Sequence, residues 1–272
     1  DRGGWTNRDC IKYFLDYSEI VSKEFGDRVK FWVTHNEPWV ISNCGYKDGI
    51  HAPGLSLLRD SVTTLGDTWI VAPDREQSAS SHALTLHRPL RLTHVNEHEY
   101  TVDGTPTDCV FLAIKEVLES KPSLVLSGVN HGPNMGEDVL YSGTVAAAME
   151  AVVLGIPGIA ISFVGHELEI MRTYEPFLTD LLSLFLEGED GSHSRFLNIN
   201  LPNRPLGEIA GVQATTLGNR VYHDSLTRSV DPRGRDYLWI GGGRSAWEGP
   251  EDADFRAVEA GYVSVTPMHF DL

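Results

Sequence analysis

The stretch SLVLSGVNHGPNMGEDVLYSGTVAAAMEAVVLGIPGIAISF (residues 123–163) contains two short apolar runs separated by a longer segment. The runs at 123–127 and 158–163 have the length and composition of buried strands. Residues 144–154 have the length of a helix, and Gly155 is a residue that typically ends one. A strand, a helix and a second strand in this order predict a parallel βαβ unit.

The same alternation continues on both sides of this unit. Residues 55–65, 69–72 and 108–118 predict a helix, a strand and a helix before it, and residues 178–186 and 195–201 predict a helix and a strand after it. We therefore predict an α/β fold with a mainly parallel, doubly wound sheet. Beyond Pro205, the runs at 209–217, 237–240 and 262–266 predict a C-terminal β extension.

Composition excludes several classes of function. Lys and Arg total 22 against 38 Asp and Glu, and the resulting formal net charge of −16 argues against polymeric nucleic acid as a partner, because that binding needs clustered cations. No apolar run approaches the roughly 18 residues of a membrane span, and the opening residues lack a secretion signal. Cys10, Cys44 and Cys109 contain no CxxC pair, so neither a disulfide framework nor a zinc site is indicated. We expect a soluble, cytoplasmic protein without membrane partners.

Residues 1–54 have a character of their own. An amphipathic helix at 7–25 and a strand at 29–34 lead into THNEPW (34–39), with FGDRVK (25–30) before it and Gly45-Tyr46 after it. These motifs resemble family 1 glycoside hydrolases, which are TIM barrels in which the glutamate at the position of Glu37 is the general acid/base. Retaining glycosidases need a second carboxylate as nucleophile, and the family's Glu-Asn-Gly triplet is absent from this chain. We therefore interpret the segment as a barrel fragment without glycosidase activity, and the chain as a chimera.

Six motifs follow in order along the remaining chain. They are DGIHAPG (48–54), APDREQS (72–78), GTPTDC (104–109), SGVNHGPN (127–134), SGTV (142–145) and GYVSVTP (261–267). Together they resemble the SurE (survival protein E) family of metal-dependent nucleoside monophosphate phosphatases. The resemblance implies a three-layer, Rossmann-like domain over residues 49–272, with residues 1–48 completing or flanking its sheet. It also implies a homodimer or higher homo-oligomer formed through the β extension.

A divalent-metal site made of oxygen ligands is implied by the same resemblance. Carried over by motif, Asp48, Ser78 and Asn130 match three of the ligands, and Asp48 is thereby also the catalytic candidate. Such a set suits a hard cation, Mg²⁺ or Mn²⁺. The family's first aspartate falls on Lys47, and the asparagine before it falls on Tyr46. Because an ammonium group replaces a carboxylate, we expect the metal to be held more weakly or lost.

Glu37 has two interpretations. Residues 31–37 have the outline of the family's first strand, an apolar run followed by Thr and polar residues. If they fill that place, Glu37 lies at the carboxyl end of a strand, where it substitutes for the lost carboxylate. Otherwise Glu37 is a solvated relic of the glycosidase acid/base.

Phosphate binding is predicted at Ser142, Gly143 and Thr144, which precede a predicted helix. Backbone N–H groups and the positive end of the helix dipole receive an anion there, and the hydroxyl groups add donors. Ser-Gly-Thr before a helix is often only a cap, but its place in the motif series favours phosphate. Asn134 either orients the substrate or closes the turn.

The sequence therefore predicts a SurE-type phosphatase that hydrolyses nucleoside 5′- or 3′-monophosphates and is impaired by Lys47. Two alternatives stay open. One is an engineered fold chimera without enzymatic activity. The other is a carbohydrate-binding protein related to β-glucosidases, which rests on Glu37 and Trp39.

Overall fold

The computed structural model describes residues 53–75, 77, 80–187, 196–222, 226–240 and 245–269. The chain divides into two units, Asp1–Ser56 and Leu57–Leu272. The predictions made for Glu37, Lys47, Asp48 and Ser78 lie outside the described residues, as do the helix and strand predicted before residue 48.

Helices and strands alternate over most of the described chain. In chain order they are α1 (Pro53–Val62), β1 (Ile70–Pro73), β2 (Leu92–Asn96), β3 (Glu99–Val102), α2 (Pro106–Leu112), β4 (Val125–His131), α3 (Gly143–Val153), β5 (Gly158–Val164), α4 (Leu168–Arg172), α5 (Glu175–Glu187), β6 (Phe196–Pro202), β7 (Gly211–Ala214), β8 (Asn219–Tyr222), β9 (Leu226–Val230), β10 (Asp236–Ile240), β11 (Ser245–Glu248), α6 (Asp254–Glu259) and β12 (Tyr262–Met268). A π-helical segment, Ala113–Val117, continues α2, and short 3-10 turns lie at Gly136–Leu140 and Leu206–Glu208.

A five-stranded sheet in the order β4-β5-β6-β12-β7 forms the centre of the second unit. β4, β5 and β6 are mutually parallel, whereas β12 is antiparallel to β6 and parallel to β7. A smaller sheet in the order β1-β3-β2 pairs β1 and β3 in parallel and β2 and β3 as an antiparallel hairpin. The parallel-rich α/β fold predicted from the sequence is confirmed.

Helices cover both faces of the larger sheet. Ile159 and Ile161 of β5 belong to the largest apolar cluster, together with Leu178 of α5. Ala160, which lies between them in sequence, belongs to a second cluster with Val145 of α3. Successive residues of a strand point to opposite faces, so α3 and α5 lie in different layers. Six of the seven residues of β5 are buried, as expected for a parallel strand covered on both sides.

Of the three runs predicted as a C-terminal β extension, residues 237–240 lie outside the large sheet, as part of β10, whereas the runs at 209–217 and 262–266 were wrongly assigned to it, because they form β7 and β12 of the five-stranded sheet. β9 pairs with β10 and β8 pairs with β11, both as antiparallel two-stranded sheets. Of the described helices, none combines the length and the apolar character that crossing a membrane requires.

The βαβ unit predicted at residues 123–163 is confirmed as β4, α3 and β5. The helix predicted at 108–118 is shorter, because α2 ends at Leu112 and the chain continues as the π-helical segment. The β2–β3 hairpin and the short helices α4 and α6 were not predicted. The barrel-derived helix and strand stay a prediction, since they lie outside the described residues.

Candidate functional site

The carboxyl ends of the parallel strands meet at one edge of the five-stranded sheet. β4 ends at His131, β5 at Val164 and β6 at Pro202. α3 follows β4 in the chain and packs against it, so α3 begins at this same edge. Open α/β sheets place their ligands in the crevice outside these strand ends. Asn130 and the predicted phosphate residues at the start of α3 are therefore brought to one edge.

Asn130 is the last residue but one of β4, and hydrogen bonds fix its side chain. Its Nδ2 donates to the carbonyl oxygen of Gly132 at 3.0 Å and to that of His131 at 3.4 Å. Because the loop uses the nitrogen, the amide oxygen Oδ1 is directed away from these carbonyls, and no described residue donates a hydrogen bond to it. An amide oxygen is a ligand that hard divalent cations accept. Asn130 thus fits a metal-binding role.

The other ligands predicted for the metal, Asp48 and Ser78, lie outside the described residues. Within the described ranges, His, Cys, Asp and Glu side chains form no group of three that could hold a metal. Of the three ligands predicted for the metal, Asn130 is the one that the structure describes, and it would contribute its amide oxygen.

A bulge in β4 sets the direction of Asn130. Ser127 pairs with Ala160 of β5 and Asn130 pairs with Ser162, so β4 contains one residue more than β5 over this interval. Gly128 lies in the bulge with a φ of +136°, and a Cβ there would overlap the carbonyl oxygen of Ile161. Bulges redirect side chains at strand ends, and this one needs glycine because both the backbone angle and the space exclude a side chain.

Ser142 is the N-cap of α3. Its Oγ accepts a hydrogen bond from the N–H of Val145 at 3.2 Å, and its carbonyl oxygen accepts from the N–H of Ala146 at 3.0 Å. The N–H groups of Gly143 and Thr144 belong to the first turn and have no intrahelical acceptor. Together with the hydroxyl protons of Ser142 and Thr144, they form a set of donors suited to an anion.

Gly143 lies in close contact with the preceding loop. A Cβ at this position would lie 2.5 Å from Oγ of Ser80, 3.0 Å from Cγ of Pro106 and 3.4 Å from the carbonyl oxygen of Gln77. The loop that follows β1 therefore packs directly on the start of α3, and only glycine leaves space for it.

The segment that begins at Ser81 is tied to α3 and to the residues before it. The N–H of Ser81 donates to the carbonyl oxygen of Tyr141 at 3.1 Å, and its Oγ donates to that of Leu140 at 2.7 Å. His82 Nε2 lies 2.7 Å from Oε2 of Glu150, a carboxylate that is buried inside α3. The loop after β1 is thus held against the predicted phosphate site.

Asp108 anchors the same loop from α2. It is the third residue of that helix and completes a capping box with Thr105. Its two carboxylate oxygens also accept from the N–H and Oγ1 of Thr85, at 2.9 and 2.6 Å. Cys109 next to it is buried, and burial raises the pKa of its thiol.

Asn134 is buried at the end of the loop that leaves β4. Its Nδ2 donates to Oγ of Ser162 at 2.7 Å, and its N–H donates to Oδ1 of Asn200 at 3.0 Å. Its carbonyl oxygen accepts from Nδ2 of Asn198 at 2.8 Å and from Nδ2 of Asn200 at 2.9 Å. Of the two roles left open by the sequence, these contacts favour fixing the loop.

Two titratable groups at the strand ends have shifted pKa values. Burial lowers the pKa of His131, and the neighbouring charge of His166 lowers it further. Asp74 follows β1 and accepts from Nε of Arg75 at 2.7 Å, which lowers the pKa of its carboxyl. Asp74 and Arg75 thus form an ion pair in the turn after β1.

Several residues that shape this edge were not predicted from the sequence. Asn198 and Asn200 of β6 hold Asn134, and Asp254 accepts from the N–H groups of Gly136 at 2.9 Å and Gly218 at 3.0 Å. Burial raises the pKa of Asp254, although its backbone hydrogen bonds act in the opposite direction. Asn198 and Asn200 can be recognised in the sequence, because polar residues alternate with apolar ones in β6, a strand that lies between two helical layers.

The fold and this edge define a class, the α/β proteins with a parallel-rich sheet in which the carboxyl ends of the strands and the start of the following helix meet at one edge. The family model of the survival protein SurE matches residues 41–224. The 5′-nucleotidase SurE of Gemmatimonas aurantiaca is 55% identical over 228 residues, which cover 83% of this chain and 90% of that protein. The corresponding protein of Geobacter sulfurreducens is 46% identical over 227 residues and is covered to 86%.

A solved structure supports the same assignment. The SurE protein from Aquifex aeolicus shares 42% identity and a TM-score of 0.69, over 81% of this chain and 90% of that one. This chain belongs to the SurE family.

Proposed function

We propose that this chain is a metal-dependent phosphatase that hydrolyses nucleoside 5′- or 3′-monophosphates. The arrangement at the sheet edge carries the proposal, since the amide oxygen of Asn130 and the donors at the start of α3 belong to consecutive elements, β4 and α3. The names of the relatives, 5′-nucleotidases with up to 55% identity, support it.

Each residue has a role in this proposal. Asp48, Ser78 and Asn130 would hold Mg²⁺ or Mn²⁺, which when bound would activate water and neutralise charge on the phosphoryl oxygens. The N–H groups of Gly143 and Thr144 and the hydroxyl groups of Ser142 and Thr144 orient the phosphate. Asn134, predicted with them, holds the loop between the two sets.

The test is phosphate release from 5′-AMP and 3′-AMP with Mn²⁺, Mg²⁺ or EDTA. We expect turnover that EDTA abolishes. Ser142→Ala should lower kcat/KM by about 10- to 100-fold, because a hydrogen bond to a charged group contributes about 1.5–3 kcal/mol. Ser142→Asp is the matched variant, since aspartate caps a helix as well as serine while its charge repels phosphate. Turnover unaffected by EDTA, or by Ser142→Asp, would contradict the proposal.

Lys47 is proposed to weaken the metal site. Replacing it with aspartate restores the carboxylate of the family motif, so Lys47→Asp should lower the Kd for Mn²⁺ by at least about tenfold, the effect of 1.4 kcal/mol. Titration with Mn²⁺ followed by electron paramagnetic resonance measures this directly. Lys30→Asp, which makes the same charge change outside the metal motif, is the control. Equal Kd values in Lys47→Asp and the parent protein would show that Lys47 does not oppose the metal.

The origin of residues 1–48 stays a prediction, and so does the role of Glu37 as substitute ligand or glycosidase relic. Phosphate release and an assay with an aryl β-glucoside separate the alternatives. A folded chain without turnover supports a chimera that lacks activity, and cleavage of an aryl β-glucoside supports a carbohydrate-active protein.

The β9–β10 hairpin supports the proposed homo-oligomer. Leu226, Val230 and Leu238 are exposed, and the pairing of Leu238 with Arg228 and of Val230 with Asp236 puts all three on one face. No third described strand joins this hairpin. An isolated two-stranded hairpin is marginally stable in water, so we propose that a second copy of the chain covers this face.

A further inference from the structure

The face of the large sheet that carries Ala160 is unusually polar. Ser162 of β5 and Asn198 and Asn200 of β6 are all 0% exposed. An amide buried without partners costs several kcal/mol, so these groups need a structural or functional reason to be there. Among the described residues, Oδ1 of Asn198 has no hydrogen-bond partner, so Asn198 bears part of this desolvation cost.

These three side chains converge on one residue, Asn134. The amide of Asn200 both accepts from the N–H of Asn134 and donates to its carbonyl oxygen, the pairing that a neighbouring strand would provide. Nδ2 of Asn198 donates to the same carbonyl oxygen, and Oγ of Ser162 accepts a hydrogen bond from Nδ2 of Asn134. Four hydrogen bonds between 2.7 and 3.0 Å therefore hold a residue that lies outside any helix or strand.

Asn134 lies between the predicted metal ligand and the predicted phosphate site, four residues after Asn130 and eight before Ser142. The loop around it is fixed at two further points. The N–H of Gly132 donates to the carbonyl oxygen of Phe163 at 2.8 Å, and the N–H of Gly136 donates to Asp254. The carbonyl oxygen of Gly132 in turn accepts a hydrogen bond from Nδ2 of Asn130. Asn134 is thus the middle one of three anchored points along the loop that connects the proposed metal ligand to the start of α3.

We propose that Asn198 and Asn200 are positioning residues for the reaction, which fix the spacing between the metal ligand Asn130 and the phosphate donors of α3. The inference rests on the proposed function, since it assigns these asparagines to that same site. Neither residue belongs to the motifs from which the site was predicted. They act through Asn134, and their amides substitute for the secondary structure that this loop lacks.

The test compares Asn200→Ala and Asn198→Ala with Thr266→Val. Thr266 is the matched control because it is buried on the same sheet, pairs with Asn198 across β12 and β6, and hydrogen-bonds to Thr215 rather than to Asn134. Loss of a residue that orients a metal ligand costs about 10- to 100-fold in affinity or activity. We expect Asn200→Ala to raise the Kd for Mn²⁺ by at least about tenfold, and Asn198→Ala, which removes one hydrogen bond instead of two, to raise it less.

Three quantities are measured well below the melting temperature of each variant. They are the Kd for Mn²⁺ by electron paramagnetic resonance, the Kd for inorganic phosphate by calorimetry, and kcat and KM for 5′-AMP. A merely structural role would lower the melting temperature of all three variants and leave both Kd values as in Thr266→Val, which would overturn the proposal. If Asn200→Ala does not fold, Asn198→Ala decides by the same criterion. A parent protein that binds Mn²⁺ without hydrolysing nucleotides would refute the nucleotidase function, and the Kd values would still decide this inference.

Discussion

Gly128→Ala is expected to lower the free energy of unfolding by more than about 4 kcal/mol, a loss that single substitutions rarely reach. Two effects act together at this position. The φ of +136° is unfavourable for any residue with a Cβ, at about 1–3 kcal/mol. The added methyl group would also overlap the carbonyl oxygen of Ile161, which lies in the interior strand β5 and cannot move without disturbing its pairing with β6.

A neighbouring glycine separates the two effects. Gly132 has a φ of +103°, yet a Cβ there would meet nothing within 4 Å. Gly132→Ala should therefore show the backbone cost alone, about 1–3 kcal/mol, and Gly207→Ala, with open space and an ordinary φ, should be close to neutral. Urea denaturation followed by circular dichroism measures all three. Equal losses in Gly128→Ala and Gly132→Ala would show that β4 and β5 separate easily at the bulge.

The βαβ unit is predictable because its two strands contain short apolar runs. Residues 158–163 of β5 are buried in a parallel sheet covered on both faces, which favours the continuous apolar run there, whereas residues 125–127 of the edge strand β4 are half-buried. The helix between them follows from its length and from Gly155. These features are local, so they need no knowledge of distant contacts.

The β2–β3 hairpin escapes prediction for the opposite reason. Residues 92–96 form a strand with one half-buried and four exposed residues, so its sequence carries neither an apolar run nor a period of two. The helix α6 has only six residues, which is too short for a helical period to emerge. Both elements are stabilised by their neighbours rather than by their own pattern.

The candidate site is divided in the same way. Asn130, Ser142 and their neighbours lie in contiguous motifs that the sequence singles out, and the strand and helix that carry them meet at one edge of the sheet. Asn200 lies 66 residues from its partner Asn134, a separation that no local pattern spans. In the strand FLNINLP, the alternation of polar and apolar residues is typical of a sheet with one face in water. In the structure both faces of this strand are buried. The mismatch between the polar pattern and the burial is what distinguishes Asn198 and Asn200.

Gly143→Ala is expected to lower kcat/KM for 5′-AMP by about 10²- to 10³-fold, the loss found when a preorganised anion donor is removed. The new Cβ would lie 2.5 Å from Oγ of Ser80 and 3.0 Å from Cγ of Pro106, so the start of α3 and the loop must separate. That movement displaces the N–H groups of Gly143 and Thr144 from the phosphate. Alanine is a better helix former than glycine by about 1 kcal/mol, so the helix itself is not weakened.

The variants that accompany Gly143→Ala identify the cause of its effect. The Kd for Mn²⁺ should stay within about threefold of the parent value, because less than 1 kcal/mol is lost at a ligand set that the substitution does not touch. Adding Ser80→Gly to Gly143→Ala removes the nearest clashing atom and should restore part of kcat/KM, while Gly207→Ala should leave it unchanged. Phosphate release at saturating Mn²⁺ measures each variant. Turnover of Gly143→Ala at the parent level would show that the loop yields to a methyl group without moving the donors, and the close contact at the start of α3 would then have no part in binding phosphate.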